Sequence, residues 1–265
     1  PTTILIVYFH NMSIKFIILG CGSSMGVPRP DGFFGKCDPK NPKNLRSRCS
    51  AFIKSRDINL LIDTSPDLRT QMLKNKIANI DCVFYTHNHA DQTHGINDLR
   101  IFCLKSKKKI PVYADVSTKK YLSKSFSYCF RKSKDYLPIL EFYKMKKKMN
   151  IGKSIKIEPI KVNHGSIKSL AFIINKKIAY LPDANKIFEK DFNKFTNLNF
   201  LIIDCLRYKF HPSHFNLDDV LRLNIKLKPK RMILTNLHSD LDYDTLLNIL
   251  PKNIKPAYDG LSLNF

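Results

Sequence analysis

Long hydrophobic runs are missing from this sequence. Although 43% of its 265 residues are hydrophobic, no apolar stretch approaches the ~20 residues that a helix needs to cross a bilayer. The apolar run at residues 4–9 is too short for the hydrophobic region of a signal peptide, and no small-residue cleavage site follows it. We therefore expect no membrane partner. Met12 precedes the first convincing strand, so we expect residues 1–12 to be a non-native or disordered extension and residues 13–265 to form a single domain.

Closely spaced cysteine pairs are also missing. The seven cysteines are an odd number, they are scattered along the chain, and several lie inside apolar runs. A disulfide framework would need an even, patterned set of cysteines. The sequence therefore predicts free thiols in a reducing compartment, and hence a cytoplasmic protein.

A phosphate loop of the NTPase type is absent as well. An apolar strand predicted over residues 14–19 runs into Gly20-Cys-Gly-Ser-Ser-Met-Gly26, whose glycines allow the backbone to approach an anion closely. No Gly-Lys-Ser/Thr follows at the spacing that such a loop requires.

Internal repeats and interdomain linkers are missing too, and the length suits one α/β domain with a sizeable core.

Acidic residues are outnumbered by basic ones, since 45 Lys and Arg against 22 Asp and Glu give a net charge of +23. Such a charge is compatible with nucleic-acid binding. The lysines are spread throughout, however, and the clusters at residues 105–109 and 144–148 are more simply explained as solvated loops. A small anionic substrate is therefore the favoured partner and nucleic acid the less favoured one. The oligomeric state is left open, with a homodimer as one alternative.

Metal-capable side chains follow a short apolar strand predicted over residues 82–85. His87, His89 and Asp91 lie within five residues of one another. In a loop, this alternate spacing lets the two imidazoles converge on one cation while the carboxylate faces a second. Neutral imidazole and carboxylate suit zinc and related divalent ions. A polar loop with surface histidines is the alternative for this triplet taken alone.

The same pattern recurs at the ends of other predicted strands. Asp63, His164, Asp183 and Asp204 each follow an apolar strand. Ligand-binding residues collect at the carboxyl ends of strands in open α/β sheets, so the full set predicts one metal cluster at one edge of the sheets.

The remaining predicted elements are strands and helices. The strands are at residues 50–54, 59–62, 110–114, 154–162, 170–174, 177–181, 200–203, 231–234 and 261–265. The helices are one opened by Pro66 and two over residues 95–104 and 118–130, and residues 131–150 are predicted to be irregular.

With this constellation the sequence resembles the metallo-β-lactamase fold hydrolases. Within them it is similar to the branch that contains the phosphoribosyl cyclic phosphate phosphodiesterases and, more distantly, the tRNA 3′-processing ribonucleases Z. The resemblance covers about residues 13–265. It rests on Gly20-Cys-Gly-Ser-Ser24, Leu61-Ile-Asp63, Thr86-His-Asn-His-Ala-Asp91, His164-Gly-Ser166, Asp183, Asp204-Cys-Leu-Arg207 and Leu234-Thr-Asn236.

The resemblance implies an α/β protein with a four-layer αββα sandwich and two divalent ions, Zn or Mn, at its edge. The first ion would take His87, His89 and His164, and Asp183 would bridge to the second, which Asp91 helps to hold. Asp63 is expected to orient the histidine loop rather than to bind metal.

The resemblance also implies hydrolysis of a small, cyclic phosphodiester by a hydroxide held between the metals. His214, in His211-Pro-Ser-His214, best matches the histidine that assists the leaving group in this branch, so we expect His214 and Asp91 to be catalytic. An ordinary position beside a helix start is the alternative for His214.

Two positions depart from the family pattern. Gln92 stands where the loop usually reads His-x-His-x-Asp-His, and Asn236 ends a strand that usually reads Leu-Thr-His. Both missing histidines would belong to the second metal, and a neutral amide is a poorer zinc ligand than imidazole. The pair predicts a weakened second metal site, with His94 and His238 as the nearby histidines that would compensate.

Three functions follow from these observations. The leading one is a metal-dependent hydrolase of the phosphodiesterase kind. A ribonuclease Z-like nucleic-acid phosphodiesterase is favoured only by the charge, and no long Gly-rich insertion for gripping tRNA interrupts the pattern. A non-catalytic metal- or ligand-binding relative is the third, and Gln92 and Asn236 are its motivation.

Overall fold

The computed structural model describes residues 14–134 and 136–265. The extension predicted over residues 1–12 lies outside the described residues, and the single domain over residues 13–265 stays a prediction. The described strands are β1 (Lys15–Gly20), β2 (Ser50–Lys54), β3 (Asn59–Ile62), β4 (Cys82–Phe84), β5 (Ile110–Tyr113), β6 (Leu140–Tyr143), β7 (Met149–Ile151), β8 (Ile155–His164), β9 (Ile167–Ile174), β10 (Ile178–Leu181), β11 (Phe200–Asp204), β12 (Arg231–Thr235), β13 (Ile254–Pro256) and β14 (Ser262–Asn264).

The helices connect these strands and cover the outer faces of the sheets. They are α1 (Leu68–Lys74), α2 (Ala90–Thr93), α3 (Arg100–Ser106), α4 (Val116–Ser125), α5 (Ser127–Phe130), α6 (Glu189–Phe192), α7 (Leu217–Leu227) and α8 (Tyr243–Ile249), with short 3-10 turns at Pro42–Asn44, Ile96–Leu99 and Asn193–Phe195. Among the described residues, every helix is too short or too polar to cross a membrane.

The strands form two seven-stranded sheets. The first has the order β14-β1-β2-β3-β4-β5-β6 and the second the order β13-β12-β11-β10-β9-β8-β7. In the first sheet β3 to β6 run parallel, and in the second β10 to β13 run parallel. Parallel neighbours end at the same edge, so the polar residues that follow them are brought to one edge of the molecule.

Three apolar clusters separate four layers. The central one lies between the sheets, where Phe84 of the first packs edge-on against Phe172 of the second with ring centroids 5.6 Å apart. A second cluster joins the outer face of the first sheet to α1 and α4. A third joins the outer face of the second sheet to α7 and α8. The predicted αββα sandwich is confirmed.

Strands β9 and β10 form an antiparallel hairpin. Its two turn residues, Asn175 and Lys176, both have positive φ, at 51° and 55°. A two-residue hairpin with both central residues left-handed matches the twist of its flanking strands. All seven cysteines lie in the described residues, and each is a free thiol, as predicted.

Residues 131–150 are not wholly irregular, because β6 and β7 lie there. Each is the edge strand of its sheet, and at four and three residues the two strands are too short to show a clear alternating pattern. The predicted helix at residues 95–104 divides into a 3-10 turn and α3, and that at residues 118–130 divides at Phe126. Helix α1 begins at Leu68 rather than at Pro66. Asp67 is its N-cap residue, but the Asp67 carboxylate is bound by Arg48 and makes no cap hydrogen bond.

Asp259 ties the carboxyl-terminal segment to the glycine loop after β1. Its carboxylate accepts from the backbone N–H groups of Cys21 at 3.1 Å and Ser47 at 2.7 Å. We predict that Asp259→Ala lowers the free energy of unfolding by about 1–3 kcal/mol, because both donors lose their acceptor. Asp31→Ala, which removes an exposed ion pair with Arg29, should change it by less than about 0.5 kcal/mol. Urea unfolding followed by circular dichroism measures both, and equal losses in the two variants would contradict the role given to Asp259.

Candidate metal centre

The histidine loop is fixed by the residue that directly follows β3. Asp63 is fully buried and accepts two hydrogen bonds from Thr86, one from its backbone N–H at 2.8 Å and one from its hydroxyl at 2.9 Å. The Thr86 carbonyl in turn accepts from the N–H of Leu170 on β9 at 2.9 Å. The loop is therefore anchored to both sheets, and Asp63 occupies the orienting position predicted for it.

This anchor sets the state of His87. The Thr86 hydroxyl lies 3.0 Å from His87 Nδ1, and since its proton goes to Asp63, it accepts from the Nδ1–H. The lone pair is then on Nε2, which is buried and has no hydrogen-bond partner in the described part of the chain. Burial, with the neighbouring histidines, holds the pKa of His87 well below its usual range. The imidazole is therefore neutral, which is the form that binds metal.

His164 is oriented in the same way by a backbone carbonyl. Its Nδ1–H donates to the Ser213 carbonyl at 2.7 Å, and its Nε2 lies 3.4 Å from His89 Nδ1. Burial lowers the pKa of His164 to about 4. One ligand-capable atom from each of His87, His89 and His164 lies within 4.8 Å of the others. The predicted triplet is brought together, and a buried imidazole nitrogen of His87 without a hydrogen-bond partner among the described residues fits a divalent ion. The role of the three as ligands stays a prediction.

Two carboxylates lie beside the triplet. Asp91 and Asp183 line the same cleft, and burial, followed by the charge of Asp91, holds the pKa of Asp183 well above its usual range. The Gln92 Nε2 lies 3.2 Å from Asp183 Oδ2 and 3.4 Å from Asp91 Oδ2. The Asn236 Nδ2 lies 3.4 Å from Asp183 Oδ1. Gln92 and Asn236, the two residues that depart from the family pattern, therefore both face Asp183.

His214 differs from the triplet because a carboxylate holds it. Its Nδ1 lies 2.7 Å from Asp204 Oδ2, and Asp204 is fully buried at the end of β11. Burial opposes the charged imidazole, but the Asp204 carboxylate outweighs it and raises the pKa of His214 to about 9. His214 also lies close to His164 and Asp183, with one ligand-capable atom of each within 4.8 Å of the others. The arrangement is a protonated imidazole at the edge of the centre.

The cleft that contains these groups has a volume of about 350 Å³. One wall is the glycine loop, where a Cβ on Gly22 would lie only 2.7 Å from the Arg46 carbonyl, so no larger residue fits there. This loop pairs with the segment after β12 through the bond from Leu237 N–H to the Cys21 carbonyl at 2.8 Å. The lining residues are Ser23, Ser24, Met25, His89, Asp91, His164, Asp183, Leu206, Arg207, His211, Ser213, His214, Asn236 and His238.

The two histidines expected to compensate for Gln92 and Asn236 are placed differently. His94 is exposed, and its Nε2 lies 3.0 Å from the Tyr121 hydroxyl, so it is directed to α4 and not to the cleft. His238 lines the cleft, but its Nδ1 faces Asp240 at 3.4 Å. The expectation that His94 compensates is therefore wrong.

Several groups at the centre were not predicted. Asn185 accepts from the Gly165 N–H at 3.2 Å and donates to the Pro212 carbonyl at 2.7 Å, which holds the segment containing His214 against the turn after β8. Arg207 and His211 line the cleft. The His211-Pro-Ser-His214 spacing could have indicated His211, whereas nothing in the sequence marks Asn185.

The comparisons with known proteins agree with this geometry. The sequence model of the Beta-lactamase superfamily domain matches residues 58–236. A curated relative, the Octanoyltransferase of Porphyromonas gingivalis (strain ATCC BAA-308 / W83), is 31% identical over 254 residues, which are 94% of this chain and 51% of that protein. The chain thus spans about half the length of that relative.

Solved structures give the same result. A diphosphatase of the PhnP family is 31% identical with a TM-score of 0.87, and the match covers 96% of this chain and 98% of that one. The short form of human tRNase Z is 15% identical with a TM-score of 0.67, covering 94% and 98% of the two chains, and this likeness concerns the fold. The family match over residues 58–236, the two seven-stranded sheets and the clustered histidines lead to one conclusion: the chain belongs to the beta-lactamase superfamily and has the metallo-β-lactamase fold.

Proposed function

We propose that this protein is a metal-dependent phosphodiesterase that hydrolyses a small, cyclic phosphodiester, with one firm site for a divalent ion, Zn or Mn, and a weakened second site. The observation that supports this most is the contrast within one cleft between neutral imidazoles and the protonated His214. The neutral rings are suited to a metal, and the protonated ring is suited to a leaving group. A metal that stabilises the developing charge and an acid that protonates the leaving oxygen each lower the barrier to breaking a phosphodiester bond.

The firm site is assigned to His87, His89 and His164, with Asp183 beside them. Two of the rings have their outer nitrogens bound to oxygen acceptors, which directs their lone pairs into the cleft. A divalent ion held there supplies Lewis-acid stabilisation of the charge that develops on the phosphoryl oxygens.

The proton donor is assigned to His214. Because Asp204 holds Nδ1, the proton on Nε2 is the one available to the leaving oxygen. Asp91 is proposed to be catalytic as a proton acceptor for the attacking water. Its carboxylate lines the same cleft, and burial raises its pKa, which makes it a better base.

The substrate class rests on the cleft and on the relatives. Arg207 and His211 at the lining, with the glycine loop opposite, favour an anionic substrate, and a cleft of about 350 Å³ suits a small one. The relatives named as a diphosphatase of the PhnP family and a tRNase Z both support phosphate chemistry. The octanoyltransferase name is not carried over, because the chain spans about half of that protein.

A ribonuclease Z-like activity is the second candidate, and the net charge of +23 favours it. Contacts to a nucleic-acid backbone release counterions, so binding would weaken steeply with added salt. RNA binding measured across a salt series separates this candidate from the first. A non-catalytic metal-binding relative is distinguished from both enzymes by a phosphodiesterase assay combined with metal analysis. Such a relative would retain metal but would turn over no phosphodiester.

We predict that His89→Ala abolishes stoichiometric retention of metal after dialysis, because it removes one of three imidazoles from the firm site. His94→Ala is the matched control, since His94 is directed to Tyr121. Metal content by mass spectrometry is the measurement. A His89 variant that holds metal as well as the parent would show that the site is wrongly assigned.

We predict that His214→Ala lowers turnover by ~10²–10⁴-fold on phosphodiesters with poor leaving groups, the usual contribution of a positioned acid. On activated aryl esters, whose leaving groups need no proton, the loss should be much smaller. Rates across a series of leaving groups measure the difference, with His94→Ala as the control. Equal losses on both kinds of ester would remove His214 from the acid role.

A further inference from the structure

The residues at the second metal position do not fit a second ion, although those at the first fit one well. We propose that the side-chain amides of Gln92 and Asn236 take the place of the second cation, so that this centre holds a single tightly bound ion. The inference deepens the proposed function and rests on it, because it concerns the same site.

The hydrogen-bonding chemistry of the two amides carries the argument. A carboxylate oxygen accepts hydrogen bonds from an amide N–H group, and the amide nitrogen, rather than the amide oxygen, of both residues faces Asp183. Gln92 Nε2 faces Asp183 Oδ2 at 3.2 Å, and Asn236 Nδ2 faces Asp183 Oδ1 at 3.4 Å. These distances are at the long end of the hydrogen-bonding range, but the two bonds occupy both oxygens of Asp183.

The same two amides also reach the neighbouring carboxylates. Gln92 Nε2 lies 3.4 Å from Asp91 Oδ2, and Asn236 Nδ2 lies 3.2 Å from Asp204 Oδ1. Asp91, Asp183 and Asp204 therefore each have an amide N–H group facing them. Crowded buried carboxylates repel one another unless cations or donors lie between them, and here the protein supplies donors.

Burial fixes this arrangement. Gln92 is fully buried and Asn236 is only 2% exposed, so solvent does not compete for these contacts. The Gln92 Oε1 is buried and has no hydrogen-bond partner among the described residues. In this arrangement Gln92 directs its amide nitrogen, and not the oxygen that a metal ligand would offer, to Asp91 and Asp183.

The contacts of Asp204 agree with one ion. The His214 Nδ1 lies 2.7 Å from Asp204 Oδ2, so a side chain of the protein already faces that carboxylate. A second dication would have to displace the amide N–H groups from Asp183. A neutral imidazole at each of the two positions would instead offer a nitrogen lone pair to an ion.

The test compares Zn²⁺ binding by the parent chain with that of the double variant Gln92→His with Asn236→His. His fits position 236, where φ is 60°, because His is among the residues that tolerate the left-handed region. Asn197→His is the matched control. Asn197 is exposed and has a φ of 55°. It precedes β11 and therefore lies away from Asp204, which ends that strand. The substitution makes the same amide-to-imidazole change there.

Titration calorimetry on chelator-treated protein should give about one tight equivalent of Zn²⁺ for the parent and for Asn197→His, and about two for the double variant. A dinuclear site places its ions ~3.5–4 Å apart, so electron paramagnetic resonance of the Mn²⁺ forms should show a coupled pair in the double variant only. If the double variant fails to fold, the stoichiometry of the parent still decides.

Two tight equivalents in the parent would overturn the inference. That result would mean that the Gln92 amide turns its oxygen to an ion, or that His164, Asp183 and His214 hold the second ion, which His214→Ala would then remove. One equivalent in the double variant would also overturn it, since the amides would not be what closes the position. A parent that holds one ion and turns over no phosphodiester would contradict the proposed function and leave this inference standing.

Discussion

One kind of hydrogen bond determines the chemistry of this centre: the bond that His87, His164 and His214 each make with the outer ring nitrogen. His87 donates to the Thr86 hydroxyl, His164 to the Ser213 carbonyl, and His214 to the Asp204 carboxylate. In each case the outer bond fixes the ring and decides which nitrogen faces the cleft. The acceptors differ in charge, and that difference assigns different functions to the same residue type.

Where the hydrogen-bond acceptor is uncharged, burial determines the direction in which the imidazole pKa is shifted. His87 and His164 are buried, their acceptors are a hydroxyl and a carbonyl, and both pKa values are lowered, that of His164 to about 4. An ionised acceptor reverses the result, since the carboxylate of Asp204 raises the pKa of His214 to about 9. The His164 and His214 rings are only 4.7 Å apart, so a ligand-like and an acid-like imidazole are maintained side by side.

The fold explains why these acceptors are where they are. Asp63 directly follows β3 of the first sheet and Asp204 ends β11 of the second, so both carboxylates are delivered to one edge by parallel strands. Cross-links such as the bond from Leu170 N–H to the Thr86 carbonyl join the two sheets at that edge. The histidine loop therefore depends on the packing of both sheets, and a disturbance of either one would change the orientation of His87.

The part of this arrangement that could be predicted is the part that lies at strand ends. His87, His164, Asp183 and Asp204 each follow an apolar run, and period-two patterns reveal such runs well. The Ser213 carbonyl could not be predicted, because it is a backbone group 49 residues from His164 in sequence. Edge strands β6 and β7 were missed for a different reason, since they are only four and three residues long and the lysine-rich residues 144–148 lie between them.

Side-chain direction sets a further limit on reading this site from sequence. Gln92 and His94 are two residues apart near α2, yet Gln92 faces Asp183 and His94 faces Tyr121. On a helical turn, side chains two positions apart point to different sides, so closeness in sequence to a lost ligand does not make a histidine its substitute. What replaces the missing imidazoles is the chemistry of the residues at those positions themselves. The neutral amides of Gln92 and Asn236 now donate to carboxylates that a second cation would otherwise bind. The number of ions that we infer for this centre therefore depends on these two side chains as well as on the fold.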